Sequence, residues 1–162
     1  MYILGDIGNS EIKIFYVNTK NKIVKKIYLP TQNLNYQNLN KNFKFLNNDF
    51  ERIEKILFCS VVPKAFGIIK NFLSKKTKIK CYEIKNLNLR SLINIDVNFK
   101  QVGSDRLTNA ISLLNNKDNF IILDFGTATT FDVVIKNTYK GGVIAPGIKI
   151  SLNSLSDKAS LI

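Results

Sequence analysis

The sequence predicts an α/β fold in which one strand–turn–strand unit occurs twice. Composition is the first reason: 45% of the 162 residues are hydrophobic, enough for a packed core and too many for a disordered chain. The second is that short apolar runs with strand character alternate with segments of helical spacing. The third is internal similarity, because Ile3-Leu4-Gly5-Asp6-Ile7-Gly8-Asn9-Ser10 has the same pattern as Ile121-Ile122-Leu123-Asp124-Phe125-Gly126-Thr127-Ala128. Each is an apolar strand, then Asp, one apolar residue, Gly and a small residue, with a second strand following at once.

Residues Tyr2 to Ile7 are apolar enough for a buried strand. Gly8-Asn9-Ser10 is a turn, and Ile12, Ile14 and Tyr16 alternate as the returning strand of a hairpin. A third strand runs from Ile23 to Leu29 and ends at Pro30, and the Asn-rich stretch 31–52 reads as loop plus irregular helix. Lys55 to Val62 is another buried strand, ended by Pro63. Phe66, Ile69 and Leu73 then recur at helical spacing, and Ile79 to Ile84 is a short strand. Ser104 caps a helix whose apolar face is Leu107, Ala110, Ile111 and Leu114. After a polar break at 115–119, Phe120 to Gly126 and Thr130 to Ile135 form the second strand–turn–strand unit. Tyr139 to Ile144 is one more strand, and a helix follows Pro146-Gly147 from about Ile148.

Several function classes are excluded by composition. There is no His, which removes Ser-His-Asp triads, Cys-His pairs and His-ligated zinc. Acid–base chemistry near neutral pH then falls first to carboxylates. Cys59 and Cys81 form no CxxC unit and read as reduced, half-buried thiols. No apolar run approaches the roughly 18 residues of a membrane span, and the opening Met1-Tyr2-Ile3-Leu4-Gly5-Asp6 is not that of a signal peptide. A soluble cytoplasmic protein without a membrane partner is expected. The net charge of +12, from 24 basic and 12 acidic residues, would suit an anionic substrate or nucleic acid. The lysines are spread along the chain, however, and the densest run, Lys75-Lys76-Thr77-Lys78-Ile79-Lys80, has no interleaved aromatics for base stacking. A solvated basic face is the expectation, not a nucleic-acid surface.

The repeated unit carries the chemistry. An Asp at the end of such a strand stands where the strand leaves the sheet, and the Gly allows positive φ and close backbone approach. Asn9 and Ser10, and in the second unit Thr127, Thr129 and Thr130, add hydroxyl, amide and backbone N–H groups. Two such hairpins facing each other would cradle a polyphosphate, with the aspartates meeting its metal ions. One Asp-x-Gly turn is weak evidence, since both are ordinary turn residues; the pair carries the inference. Gly103-Ser104-Asp105-Arg106 is the third feature. An Asp in the first turn of a helix offsets the macrodipole by about 0.3–1 kcal/mol, and that alone would account for Asp105. Arg106 can also bind an anionic group, and Asp105 could accept the proton of a hydroxyl attacking a γ-phosphoryl group.

Five segments in this order resemble the motifs of type III pantothenate kinases, of the actin, sugar-kinase and heat-shock ATPase superfamily. They are Asp6-x-Gly8-Asn9-Ser10, Ser60-Val61-Val62-Pro63, Gly103-x-Asp105-Arg106, Asp124-x-Gly126-Thr127-Ala128-Thr129-Thr130-x-Asp132 and Gly141-Gly142-x-Ile144-x-Pro146-Gly147. The resemblance implies a ribonuclease-H-like, actin-like ATPase domain over 1–116, followed by a partial second domain of the same kind over 117–162. It implies phosphorylation of pantothenate by ATP, the first step of coenzyme A biosynthesis. Asp6, Ile7, Gly8, Asn9, Ser10, Glu11, Ile12 and Lys13 would form the first phosphate hairpin, with Asp6 near Mg²⁺ through water. Asp105 would be the catalytic base, and Gly103, Ser104, Asp105 and Arg106 would line the pantothenate site. Asp124 would bind K⁺ or NH₄⁺ and Thr127 would contact ATP. A homodimer is implied for the complete protein.

The sequence departs from the family pattern in three places. Ser10 stands in place of the commoner Thr, and the Tyr and Pro usual before Gly-x-Asp-Arg are absent from Asn98-Phe99-Lys100-Gln101. The family also continues beyond the Gly-Gly…Pro-Gly segment, so apolar surface is expected to lie open in the second domain, and Ser156 to Leu161 would begin the missing region. Two other readings remain from the sequence: an inactive relative that only binds nucleotide, and a basic accessory factor for transcription.

Overall fold

A computed structural model describes residues 1–46, 49–115 and 117–158. The chain forms two compact units, Met1–Leu87 and Asn88–Ile162. The boundary expected at 116/117 followed the sequence repeat. By compactness the segment 88–115 goes with the second unit, because its helix packs on that unit's sheet.

The first unit is a five-stranded sheet of order β3-β2-β1-β4-β5. Its strands are β1 (Tyr2–Ile7), β2 (Glu11–Val17), β3 (Ile23–Pro30), β4 (Lys55–Ser60) and β5 (Cys81–Glu83). β1 pairs antiparallel with β2 and parallel with β4, and this register decides what each face carries. Ile3, Gly5 and Ile7 of β1 lie beside Tyr16, Ile14 and Ile12 of β2 and beside Ile56 and Phe58 of β4. That face is buried together with Leu39 of helix α1 (Tyr36–Asn42) and with Ile69, Phe72 and Leu73 of helix α2 (Pro63–Ser74). Each such large apolar side chain contributes about 1.5–3 kcal/mol. Asp6, Lys13 and Cys59 pair across the strands at alternate positions and so stand on the opposite face.

Most elements fall where the periodicity puts them, and the exceptions have physical causes. The Asn-rich stretch contains α1, capped by the Asn35 side chain accepting from the Asn38 amide at 2.9 Å, and two 3-10 turns at Lys44–Leu46 and Phe50–Arg52. Pro30 lies inside β3, which a strand at the sheet edge tolerates. Pro63 is the first residue of α2, where its missing N–H costs nothing. The strand expected over 79–84 is shorter, because Ile84 already begins a 3-10 turn. Parts of the expected segments 31–52, 115–119 and 156–161 lie outside the described residues.

The second unit is a four-stranded sheet of order β6-β9-β8-β7. Its strands are β6 (Asn94–Ile95), β7 (Asn119–Phe125), β8 (Ala128–Ile135) and β9 (Thr138–Pro146), with helices α3 (Ser104–Ser112) and α4 (Ile148–Lys158). Register puts Asp124, Thr130 and Asp132 on one face. Leu107 and Ala110 of α3 are buried, and α3 packs against β8. Ile121, Leu123, Phe131 and Val143 share the other face. That face stays open, with Ile121 70% and Val143 65% exposed. The open apolar surface expected for this half is therefore present. No helix among the described residues is long and apolar enough to cross a membrane.

Candidate active site

In the first unit the β1–β2 hairpin brings Asp6 to the end of its strand. The Gly8 amide donates to the Glu11 carbonyl at 3.0 Å. Thr31 braces the turn from β3's end, its Oγ1 donating to the Gly8 carbonyl at 2.7 Å and its amide to the Ser10 carbonyl at 3.1 Å. Asp6 is half-buried, and the Cys59 thiol donates to its Oδ1 at 3.4 Å. Asn9, Ser10, Glu11 and Lys13 are exposed. Ile7 and Ile12 are fully buried core residues, so within this hairpin they offer only backbone groups.

Positive φ, expected of the turn glycines, is not what they supply. Neither Gly8 nor Gly126 has it; among the described glycines only Gly141 does, at 98°. At Gly8 the constraint is close approach, since a Cβ would lie 3.2 Å from the Glu11 carbonyl oxygen. Gly126 has room for a Cβ, with its nearest neighbour at 3.7 Å. The crowding in this hairpin falls on Gly147 instead. Its Cβ would meet the Gly126 and Thr127 carbonyl oxygens at 2.3 and 2.5 Å, and its amide donates to the Thr127 carbonyl at 3.1 Å.

In the second unit Asp124 is exposed at the end of β7, and Asn109 of α3 donates to its Oδ2 at 3.3 Å. Across the strand pair stands Thr130, whose Oγ1 is buried with no hydrogen-bond partner. Thr127 is exposed in the turn. Gly103, not Ser104, is the N-cap of α3, in extended conformation at φ −62° and ψ 147°. Ser104 lies within the first turn and is buried. Asp105 is half-buried in that turn, and its Oδ1 accepts the Arg106 amide at 2.8 Å.

Arg106 brings in two side chains that were not among the expected site residues. Its Nε donates to Asp132 Oδ1 at 2.8 Å and Oδ2 at 3.1 Å, and its Nη2 to Oδ1 at 2.6 Å. The Tyr139 hydroxyl also donates to Asp132 Oδ1. Asp132 is 1% exposed and Arg106 11%, so removing one partner strands a buried charge, at a cost of about 3–5 kcal/mol. The hydrogen bonds from Arg106 to Asp132 hold the guanidinium more firmly charged than usual. Burial first, and then the bond to Asp132, push the Tyr139 phenol well above its ordinary range. Gly142 lies against the pair, where a Cβ would stand 1.9 Å from the Phe131 carbonyl oxygen and 2.8 Å from both Arg106 Nη2 and Asp132 Oδ1. Asp132 and Gly142 fall inside the family motifs, but nothing local in the sequence links them to Arg106.

Two ions implied by the resemblance can be weighed against the residues present. Among the described residues no three His, Cys, Asp or Glu side chains converge. Asp6 offers a carboxylate, and Mg²⁺ on a triphosphate keeps several waters and takes only one or two carboxylates. A monovalent cation takes oxygen ligands, and Asp124 with the unpartnered Thr130 Oγ1 suits one. Elsewhere in the first unit, Lys75, Lys76 and Lys80 lie over Tyr36, Phe72 and Tyr82 at 5.3, 6.0 and 5.1 Å.

Comparison with known proteins agrees with the motifs. A family profile described as type III pantothenate kinase matches residues 2–162. A type III pantothenate kinase from Pelagibacter ubique is 64% identical over 162 residues, covering 100% of this chain and 65% of that protein. Another from Geotalea daltonii is 34% identical over 168 residues, covering 99% of this chain and 65% of its own length. The chain thus spans 65% of the length of these curated relatives. Among solved structures, a Baf family transcriptional activator from Campylobacter jejuni matches with a TM-score of 0.56 at 20% identity, over 98% of this chain and 61% of that one. An Aquifex aeolicus Ppx/GppA phosphatase matches at 0.52 and 12% identity, over 95% and 55%. At such identities the structures bear on the fold alone, and they agree with the expected α/β class.

Proposed function

The chain belongs to the type III pantothenate kinase family, and from that premise we propose that it takes part in ATP-dependent phosphorylation of pantothenate to 4'-phosphopantothenate in the cytoplasm. The observation that carries the reading is the twofold Asp-x-Gly hairpin together with a third carboxylate, Asp105, on the first turn of α3. In phosphoryl transfer the protein's work is chiefly positioning and charge stabilisation. Asp105 takes the proton of the pantothenate hydroxyl as its oxygen bonds to the γ-phosphorus and the bond to the ADP oxygen breaks. Gly103 and Ser104 shape the approach to it, and Arg106 adds positive charge beside it.

The β1–β2 hairpin contributes Asn9, Ser10, Lys13 and backbone groups to the phosphates, and Asp6 would hold Mg²⁺ through water. Asp124 and Thr130 would hold K⁺ or NH₄⁺, and Thr127 contacts ATP. When bound, the cations neutralise phosphate charge. The kinase reading also takes a homodimer, with no membrane or nucleic-acid partner.

The test is ADP release by the purified chain in ATP, Mg²⁺ and K⁺. The expected result is release that requires pantothenate and falls at least tenfold when Na⁺ replaces K⁺. Release that ignores pantothenate contradicts the reading. The alternative, nucleotide binding without turnover, predicts binding heat on titration with ATP and no phosphopantothenate from the same sample.

A further inference from the structure

The geometry points to Asp132, assisted by Tyr139, as a positioning residue that holds Asp105 in place through Arg106, an inference that rests on the kinase reading above. The starting point is how α3 is held. It is nine residues long, and its N-cap, Gly103, makes no side-chain capping bond. A helix this short is marginal without tertiary support. Leu107 and Ala110 hold its apolar stripe by packing. Packing is non-directional, however, and it leaves the rotation and register of the first turn loosely determined.

Arg106 adds a directional hold at the first turn, and Asn109 adds another near the helix's far end through its bond to Asp124. A guanidinium presents its N–H donors in a rigid planar fork, and here the Nε–Nη2 edge is bound by a buried carboxylate on β8. That carboxylate is itself oriented by the Tyr139 hydroxyl on β9. Gly142 leaves the room the pair occupies. Three elements of one unit, α3, β8 and β9, thus meet at the Arg106–Asp132 pair, and Arg106 is the immediate neighbour of Asp105. The Arg106 backbone amide also donates to Asp105 Oδ1 at 2.8 Å. A turn of the Arg106 backbone therefore moves both the position of Asp105 and a hydrogen bond to it. A misplacement of about 1 Å at a reacting group can cost about 10²-fold in rate.

The anchor makes a prediction that a stabilising ion pair alone does not. If Asp132 acts through Asp105, its loss has little further effect once Asp105 has lost its carboxylate, because residues acting as a unit are non-additive. A merely structural contact lowers the folded fraction, and that loss multiplies with any other. Asp132→Asn, Asp105→Asn and the double variant are therefore compared by pantothenate-dependent turnover. Asp132→Asn is expected to lose about 10²-fold in the parent and less than threefold in the Asp105→Asn background. Equal losses in both backgrounds overturn the positioning role.

Should Asp132→Asn fail to fold, Tyr139→Phe keeps the ring and removes only the hydrogen bond. It is expected to lose about 3–10-fold in the parent and nothing measurable beside Asp105→Asn. In parallel, the ¹⁵N-labelled Arg106 Nε–H is followed by NMR. Slow exchange in the parent and fast exchange in Asp132→Asn support the anchor, and fast exchange in the parent overturns it. A parent that folds, shows the protected Nε–H and never turns over pantothenate overturns the kinase reading and the positioning role with it. A parent that turns over while the cycle is additive overturns the positioning role alone.

Discussion

At position 142 the backbone is walled in by the Phe131 carbonyl and by the buried Arg106–Asp132 pair, so the missing side chain is a steric requirement. Gly142→Ala is predicted to destabilise the protein by about 1–3 kcal/mol or more, the range for overpacked sites. Gly67, inside α2 with open space where a Cβ would stand, is the control of opposite sign: Gly67→Ala should stabilise by about 0.5–1 kcal/mol. Urea denaturation measures both, and a Gly142→Ala variant as stable as the parent contradicts the crowding argument. Asp6 and Asp124 were legible because each ends an apolar run two residues before a Gly, and Asp105 because it opens a helical pattern beside Arg106. The contact of Asp132 with Arg106 was not, since 26 positions separate them and no periodicity spans that gap. Ser104 was a reasonable cap by residue type, but α3 begins one residue earlier and takes Gly103 instead.

Groups on β5 and β9 tie stability to alkaline pH, as does Tyr16 on β2, where burial also raises the phenol. On β5 burial pushes the Cys81 thiol up to about 12, with Lys70 offsetting part of the effect. On β9 burial and then Asp132 raise the Tyr139 phenol. Both folded-state values lie above the unfolded ones, so their stabilising effect is complete below the unfolded pKa and fades as pH rises through the folded one. For Cys81 the loss starts near the free thiol value of about 8.5 and runs toward 12, and Tyr139 adds to it above about 10. Each group contributes a slope of up to about 1.4 kcal/mol per pH unit within its window. The urea midpoint should therefore hold from about pH 7 to 8 and fall by about pH 10.5, with a shallower fall in Cys81→Val. A midpoint that rises with pH, or an unchanged slope in that variant, contradicts this. Strands with alternating or continuous apolar runs were readable from the sequence. The two-residue β6 was not, because two residues carry no periodicity and its strand form comes from pairing with β9.

Across the whole molecule, each Asp-x-Gly turn opens a hairpin in its own compact unit. The second sheet is packed on the α3 face and open on the face bearing Ile121 and Val143. The chain spans 65% of the length of its curated relatives. The division at Leu87/Asn88 was not legible. Packing of α3 on β8 sets that division, and the repeat carries no information about it. The central claim is that Asp105 serves phosphoryl transfer to pantothenate. The most direct measurement is pantothenate-dependent ADP release by the parent and by Asp105→Asn at equal folded concentration. Loss of a general base predicts a fall of about 10²–10⁴-fold in turnover, with ATP still bound. Undiminished turnover in Asp105→Asn would contradict it.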